Sequence, residues 1–179
     1  MTSEEMQTYF PTVYPKMFVG KYGGVAVGTG WFNILNALCR NIQSHLDWKK
    51  RNRDREIEKF NAKEQGIEAL RTWYCGDREP SGWFEEQIEE TMKNSIVIPD
   101  EIPQVTIAQI KEKFGTLRFY YDGGDDVIGG MVSMAESMSA FTCEECGDAG
   151  EGRNGGWVRT LCDKHEAEYQ QRIKDRNNE

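Results

Sequence analysis

Three cysteines and a histidine stand in two short pairs: Cys143-Glu-Glu-Cys146, then fifteen intervening residues beginning with Gly147, then Cys162-Asp-Lys-His165. This constrains the chain more than anything else in it. Two residues between ligands let a backbone turn bring both donor atoms to about 2.0–2.3 Å from one metal ion, and Cys3His is a donor set of closed tetrahedral zinc sites. Gly147 suits the turn, because a knuckle of this kind takes a residue at positive φ. Five cysteines in all (39, 75, 143, 146, 162) is an odd count, which argues against a disulfide framework.

Between the pairs, Asn154-Gly155 signals a hairpin turn and Trp157-Val-Arg-Thr-Leu161 has strand composition. After Leu161 the pattern turns helical, which puts Cys162 and His165 on one face of a first turn. Knuckle, hairpin and helix in that order resemble a treble-clef zinc finger over about residues 141–170. Four protein ligands leave no place for water, so the expected role of Zn2+, one per chain, is structural. A zinc deaminase needs a His-x-Glu or Cys-x-Glu element ahead of its paired cysteines, and Phe141-Thr142-Cys143 offers neither. A treble-clef nuclease needs a histidine in the hairpin, and residues 147–161 contain none.

The chain has 179 residues, 22 basic and 30 acidic, with a net charge of -8. Its acidity counts against bulk nucleic-acid binding, since every phosphate contact is made in a negative mean field. Nowhere do 18 apolar residues run together, and no signal-like stretch follows Met1, so a soluble, intracellular protein is expected.

Upstream of the finger, Phe18-Val19 and Val25–Val27, separated by glycines, read as two short strands or as a tight turn, and residues 31–46 have helical spacing. The intervening Gly28-Thr29-Gly30 is a poor dinucleotide fingerprint, because Asn33 stands at the third glycine position; its N–H groups are expected to be able to receive an anion. Residues 47–64 mix seven basic with five acidic side chains and read as an exposed helical arm. Helices are expected over 66–74 and over 81–92, the latter with a stripe at 84, 88 and 92, while Cys39 and Cys75 read as buried small side chains.

Residues 104–121 read as two strands joined near Lys113–Gly115. Leu117, Phe119 and Tyr121 alternate against Arg118 and Tyr120, whereas Val105, Ile107 and Gln109 against Thr106, Ala108 and Ile110 leave the inward face of the first strand open; the outer face would show Arg118 and Tyr120, with Lys111 and Lys113 as candidates beside them, cations and an aromatic ring fit to hold a phosphate and stack on a base. Asp122, Asp125 and Asp126 make a turn and cap, with a cation-dependent hydrolase as the alternative use. Val127, Ile128, Met131, Met134, Ala135 and Met138 form the expected buried stripe of a helix over 127–140.

The segments Gly30-Trp31-Phe32, Gln109 to Tyr120, Cys143 to Gly147 and Trp157 to His165 together resemble a family of bacteriophage and prophage proteins without an assigned activity. The resemblance spans most of the chain, with 47–64 as an insertion. It implies a bacterial cytoplasm and a host-directed, anti-defence role. The expected fold is α+β: a small antiparallel sheet packed on two or three helices in residues 1–140, and a treble-clef finger with a C-terminal helix in 141–179, docked through Phe141, Trp157 and Leu161. The expected function is a non-enzymatic accessory protein that binds a host protein or a small anionic, nucleotide-like signal. A nucleic-acid-binding finger is the other alternative.

Overall fold

The computed structural model describes residues 2–154 and 157–177. It is α+β, and the chain divides into two compact units, Met1–His45 with Pro103–Glu179, and Leu46–Ile102. The metal-ligand segment therefore belongs to the same unit as the sheet.

The first unit opens with α1, Ser3–Val13. Sequence reading passed over it, although Thr2-Ser-Glu-Glu5 is a capping box: the Glu5 N–H donates to Thr2 Oγ1 at 3.1 Å and the Thr2 N–H to Glu5 Oε2 at 2.7 Å. Met6 and Phe10 on its inner side are buried. Strands β1 (Val25–Ala26), β2 (Thr106–Lys113) and β3 (Thr116–Asp122) lie in that order. β2 and β3 are antiparallel, as expected, and the two-residue β1 joins parallel to β2, which makes the sheet mixed. The expected strand at Phe18-Val19 does not form. Instead the Met17 carbonyl accepts from the Ile107 N–H at 2.8 Å, and Met17 and Phe18 are buried.

Phe114 and Gly115 both have positive φ, 55° and 74°, the two-residue turn geometry that matches the twist of a hairpin. Register places Lys111 opposite Arg118 and Ile110 opposite Phe119. Ile110, Leu117 and Phe119 thus fill the core face with Trp31, Leu35, Ile42, Ile128 and Leu161. Each such side chain contributes about 1.5–3 kcal/mol on burial.

Helix α2 is unbroken from Phe32–Gln65. Residues 47–64, expected as a projecting arm, are its second part and belong to the second unit, where Ala62 is buried. Gly66, at φ 111°, ends the helix, and α3 (Ile67–Cys75) and α4 (Gly82–Lys93) follow. This unit has a core of its own in Ala62, Leu70 and Ile88, lined by Ala69, Trp73 and Tyr74. The α4 stripe turns in Thr91, bonded to the Tyr74 hydroxyl at 2.8 Å, rather than the expected Met92. Among the described residues Ile96-Val97-Ile98 forms no strand, and Val97 is 80% exposed. Cys39 and Cys75 are buried thiols, as expected.

Helix α5, Asp126–Ser139, flanks the edge strand β3 and closes it with side chains. Ser139 Oγ accepts from the Leu117 N–H at 2.8 Å and Glu136 Oε1 from the Phe119 N–H at 2.9 Å, so two outward donors of the edge are satisfied. Its buried stripe is Ile128, Val132, Ala135 and Ser139. Val127, Met134 and Met138, expected inside, are instead half or more exposed. The apolar arc of α5 is wider than the contact it makes, so apolar periodicity alone could not say which edge of the arc packs. Among the described residues, no helix is long and apolar enough to cross a membrane.

Candidate metal centre

The knuckle forms because Gly147, at φ 84°, returns the chain so that its N–H donates to the Cys143 carbonyl at 2.8 Å. The Cys143 N–H donates to the Asp148 carbonyl at 2.8 Å, and an isolated bridge joins Thr142 to Ala149. Strands β4 (Glu151–Arg153) and β5 (Arg159–Leu161) pair antiparallel. The expected Asn-Gly turn between them includes Gly155, which lies outside the described residues. Cys162 follows β5 directly and caps α6, Asp163–Asn177, whose first turn carries His165. Arg153 ties the pair to the helix, donating to the Leu161 carbonyl at 3.1 Å and to Asp163 Oδ1 at 2.6 Å. Knuckle, strand pair and helix stand in treble-clef order.

The four expected ligands converge. One donor atom from each of Cys143, Cys146, Cys162 and His165 lies within 4.8 Å of the others. His165 Nδ1 is 3.2 Å from Cys162 Sγ and 3.5 Å from Cys143 Sγ, and Cys146 Sγ is 3.9 Å from Cys162 Sγ. A tetrahedron with metal–sulfur bonds of about 2.3 Å has edges of about 3.8 Å, so the cluster can hold a metal ion as it stands. The thiols split in acidity. Burial acts to raise Cys143, but backbone N–H groups around the knuckle outweigh it and bring the thiol down to about 7. Cys146 is pushed up to about 12, by desolvation first and then by its neighbours Asp148, Cys143 and Cys162. One thiolate in so tight a cluster discourages a second, and a bound cation is what reverses this.

The centre is built into the unit by Gly28-Thr29-Gly30-Trp31. The Gly28 N–H donates to Glu144 Oε1 at 3.0 Å, the Gly30 N–H to the Glu144 carbonyl at 2.8 Å, and Trp31 Nε1 to the Thr142 carbonyl at 2.7 Å. A Cβ on Gly30 would stand 2.2 Å from the Cys143 carbonyl oxygen and 2.5 Å from the Gly147 nitrogen. These glycines are therefore neither a nucleotide fingerprint nor an anion receptor. Their N–H groups are spent on Glu144, and their missing side chains make room for the knuckle. Burial raises the pKa of Glu144, opposed by the Gly28 N–H and by Arg159, which reaches Glu144 at 3.5 Å and Glu145 at 2.6 Å.

The hairpin side is tied as well: Thr160 Oγ1 donates to the Gly115 carbonyl at 2.6 Å, and the Glu144 N–H to the Thr160 carbonyl at 2.9 Å. Of the three expected docking residues only Leu161 is buried. Phe141 is 73% and Trp157 64% exposed, because Trp31, Thr160 and the glycines make the contact instead. Sequence reading missed Gly28 and Gly30 as partners of Glu144, for Gly28 alone lies 116 residues from it along the chain.

Lys111, Lys113, Arg118 and Tyr120 do share one face, since register pairs Lys111 with Arg118 and alternate residues follow. The Lys111 ammonium is 5.1 Å from the Tyr120 ring centroid, and that of Lys113 is 5.4 Å from Phe114. Arg118 donates to its neighbour's carbonyl at 2.6 Å and stands 3.9 Å from Glu136. The aspartates are differently engaged. Asp125 caps α5 through the Ile128 N–H at 3.1 Å and holds His45 Nε2 at 2.9 Å. Among the described residues Asp122, Asp125 and Asp126 form no second group of converging metal ligands. Comparison of the chain with known protein families, curated proteins and solved structures gives no match.

Proposed function

We propose that the protein is a non-catalytic, zinc-stabilised binder that retains a small anionic, nucleotide-like ligand on the outer face of β2 and β3. The register that brings Lys111, Lys113, Arg118 and Tyr120 onto one face is the observation that carries this. Three cations and a ring offer phosphate contacts beside a stacking platform. Zinc is the metal of choice for a closed Cys3His donor set, where no position is left for water. The resemblance to phage and prophage proteins, together with five cysteines free of disulfides, supports action in a bacterial cytoplasm on a host defence signal. A hydrolase through Asp122, Asp125 and Asp126 is the weaker reading, since Asp125 already serves as cap and as partner of His45.

Titration of the purified protein with a panel of mono-, di- and cyclic nucleotides, followed by calorimetry, tests the proposal. Charge-assisted hydrogen bonds contribute about 1.5–3 kcal/mol, so Arg118→Ala is expected to weaken retention by roughly tenfold to a hundredfold, and Lys113→Ala by less. Equal retention by wild type and both variants would remove the sheet face from consideration. Affinity for single strands that falls steeply with salt, with no retention of mononucleotides, would favour a nucleic-acid module instead.

A further inference from the structure

The second unit carries a run of positive charge that its own carboxylates do not neutralise. Lys49, Lys50, Arg51, Arg53 and Arg55 stand within seven residues of α2, and Asp54 is the one carboxylate among them. By contrast, carboxylates hold Lys59, Arg71, Lys93, Arg153 and Arg159. Among the described residues none of the five is in an ion pair, in a chain whose net charge is -8. Trp48, Arg51 and Arg55, three and four residues apart, lie along one stripe of the helix. Trp48 is 54% exposed, and both arginines are exposed. The stripe ends against α3, where the Arg55 guanidinium is 5.5 Å from the ring centroid of Trp73, which packs on the core of Ala62, Leu70 and Ile88. Arg55 is thereby held on a fixed ring, and the stripe from Trp48 to Arg55 is about 10 Å long.

We infer that this stripe docks an acidic polypeptide segment of a partner protein, whose carboxylates meet Arg51 and Arg55 and whose apolar side chains cover Trp48. Trp and Arg are the side chains that carry most of the binding energy at protein interfaces, and a guanidinium takes a carboxylate through two parallel hydrogen bonds. The charge pattern selects a polypeptide over other polyanions. The positive run is short: Asp47 precedes it, and Glu56 and Glu58 follow Arg55. A nucleic-acid strand carries a charge on every phosphate and an anionic membrane carries charge across its whole plane, so both would lie against these carboxylates as well as the arginines. A polypeptide can place carboxylates opposite Arg51 and Arg55 and neutral or basic residues beyond them. The stripe shares no residue with the outer face of β2 and β3, so the inference does not depend on the ligand proposed there.

Fluorescence anisotropy of the zinc-loaded full chain with a labelled twelve-residue peptide of repeated Glu-Glu-Leu, and with a labelled single strand of twelve thymidines, tests this. The peptide is expected to bind at least about tenfold more tightly than the strand. Arg51→Glu removes a charge-assisted contact at an exposed position and is expected to weaken the peptide by roughly tenfold to a hundredfold, with zinc content and circular dichroism unchanged. Trp48→Ala is expected to weaken it by about fivefold or more. Arg118→Ala, on the sheet, is expected to leave it unchanged. No binding of the peptide at millimolar concentration would overturn the inference. Tighter binding of the thymidine strand would also overturn it and make the stripe a nucleic-acid surface. A loss with Arg118→Ala as large as with Arg51→Glu would overturn it too, because the peptide would then be seated on the sheet.

Discussion

Cys143→Ser is expected to unfold the whole of the sheet-bearing unit rather than the finger alone. Cys143 is fully buried, and its backbone is bonded to Asp148 and Gly147. The adjoining Glu144 binds Gly28 and Gly30 on one side and Thr160 on the other. Metal binding to sites of this class supplies about 10–16 kcal/mol. That is as large as the entire stability of an ordinary domain, about 5–15 kcal/mol. Loss of a ligand should therefore propagate through Trp31 into the core. Hydrogen exchange checks it. Amides of β2 and β3 should lose protection in Cys143→Ser, and in wild type stripped with a chelator, while those around Leu70 and Ile88, which have their own core, serve as the internal reference. Protection lost only over residues 141–177 would show that the finger folds on the sheet without supporting it.

Gly30→Ala should be nearly as damaging although it removes no ligand. The new Cβ would sit 2.2 Å from the Cys143 carbonyl oxygen, 2.5 Å from the Gly147 nitrogen and 2.7 Å from the Cys146 nitrogen. All three are backbone atoms of the knuckle, so no side chain can swing aside. A loss of at least about 3 kcal/mol is expected, with zinc released at lower chelator concentration than from wild type. Gly130→Ala is the matched control. Nothing lies within 4 Å of its Cβ, and in the middle of α5 the exchange should add up to about 1 kcal/mol. Denaturant unfolding at low protein concentration measures both. Equal stabilities would mean that the 28–31 segment does not brace the metal centre.

The two glycines show where sequence reading stops. The ligands were legible because two-residue spacing and donor chemistry are local properties of residues 143–165. The one-sided face of Arg118 and Tyr120 was legible too, since the alternation of β3 is local; which side of β2 turns inward was not, because the register shifts between Ile107 and Gln109. The purpose of Gly28 and Gly30 was not, because their reason is steric and sits on a partner far along the chain. Phe141 and Trp157 misled for a related cause: large aromatic side chains beside a metal-ligand knuckle suggest packing, but the space was already taken by Trp31, which is fully buried. The outer stripe of α5 likewise has the same period as its inner one, and only the placement of β3 against Glu136 and Ser139 tells them apart.

The claim on which the rest depends is that the metal is zinc held in a closed, four-ligand sphere. X-ray absorption at the zinc edge on the protein as purified measures that sphere directly. The expected result is one zinc per chain with three sulfur neighbours at about 2.3 Å and one nitrogen at about 2.0–2.1 Å. An added oxygen shell, fewer than three sulfurs, or a folded chain without zinc would contradict it, and an open position at the metal would return catalysis to the question.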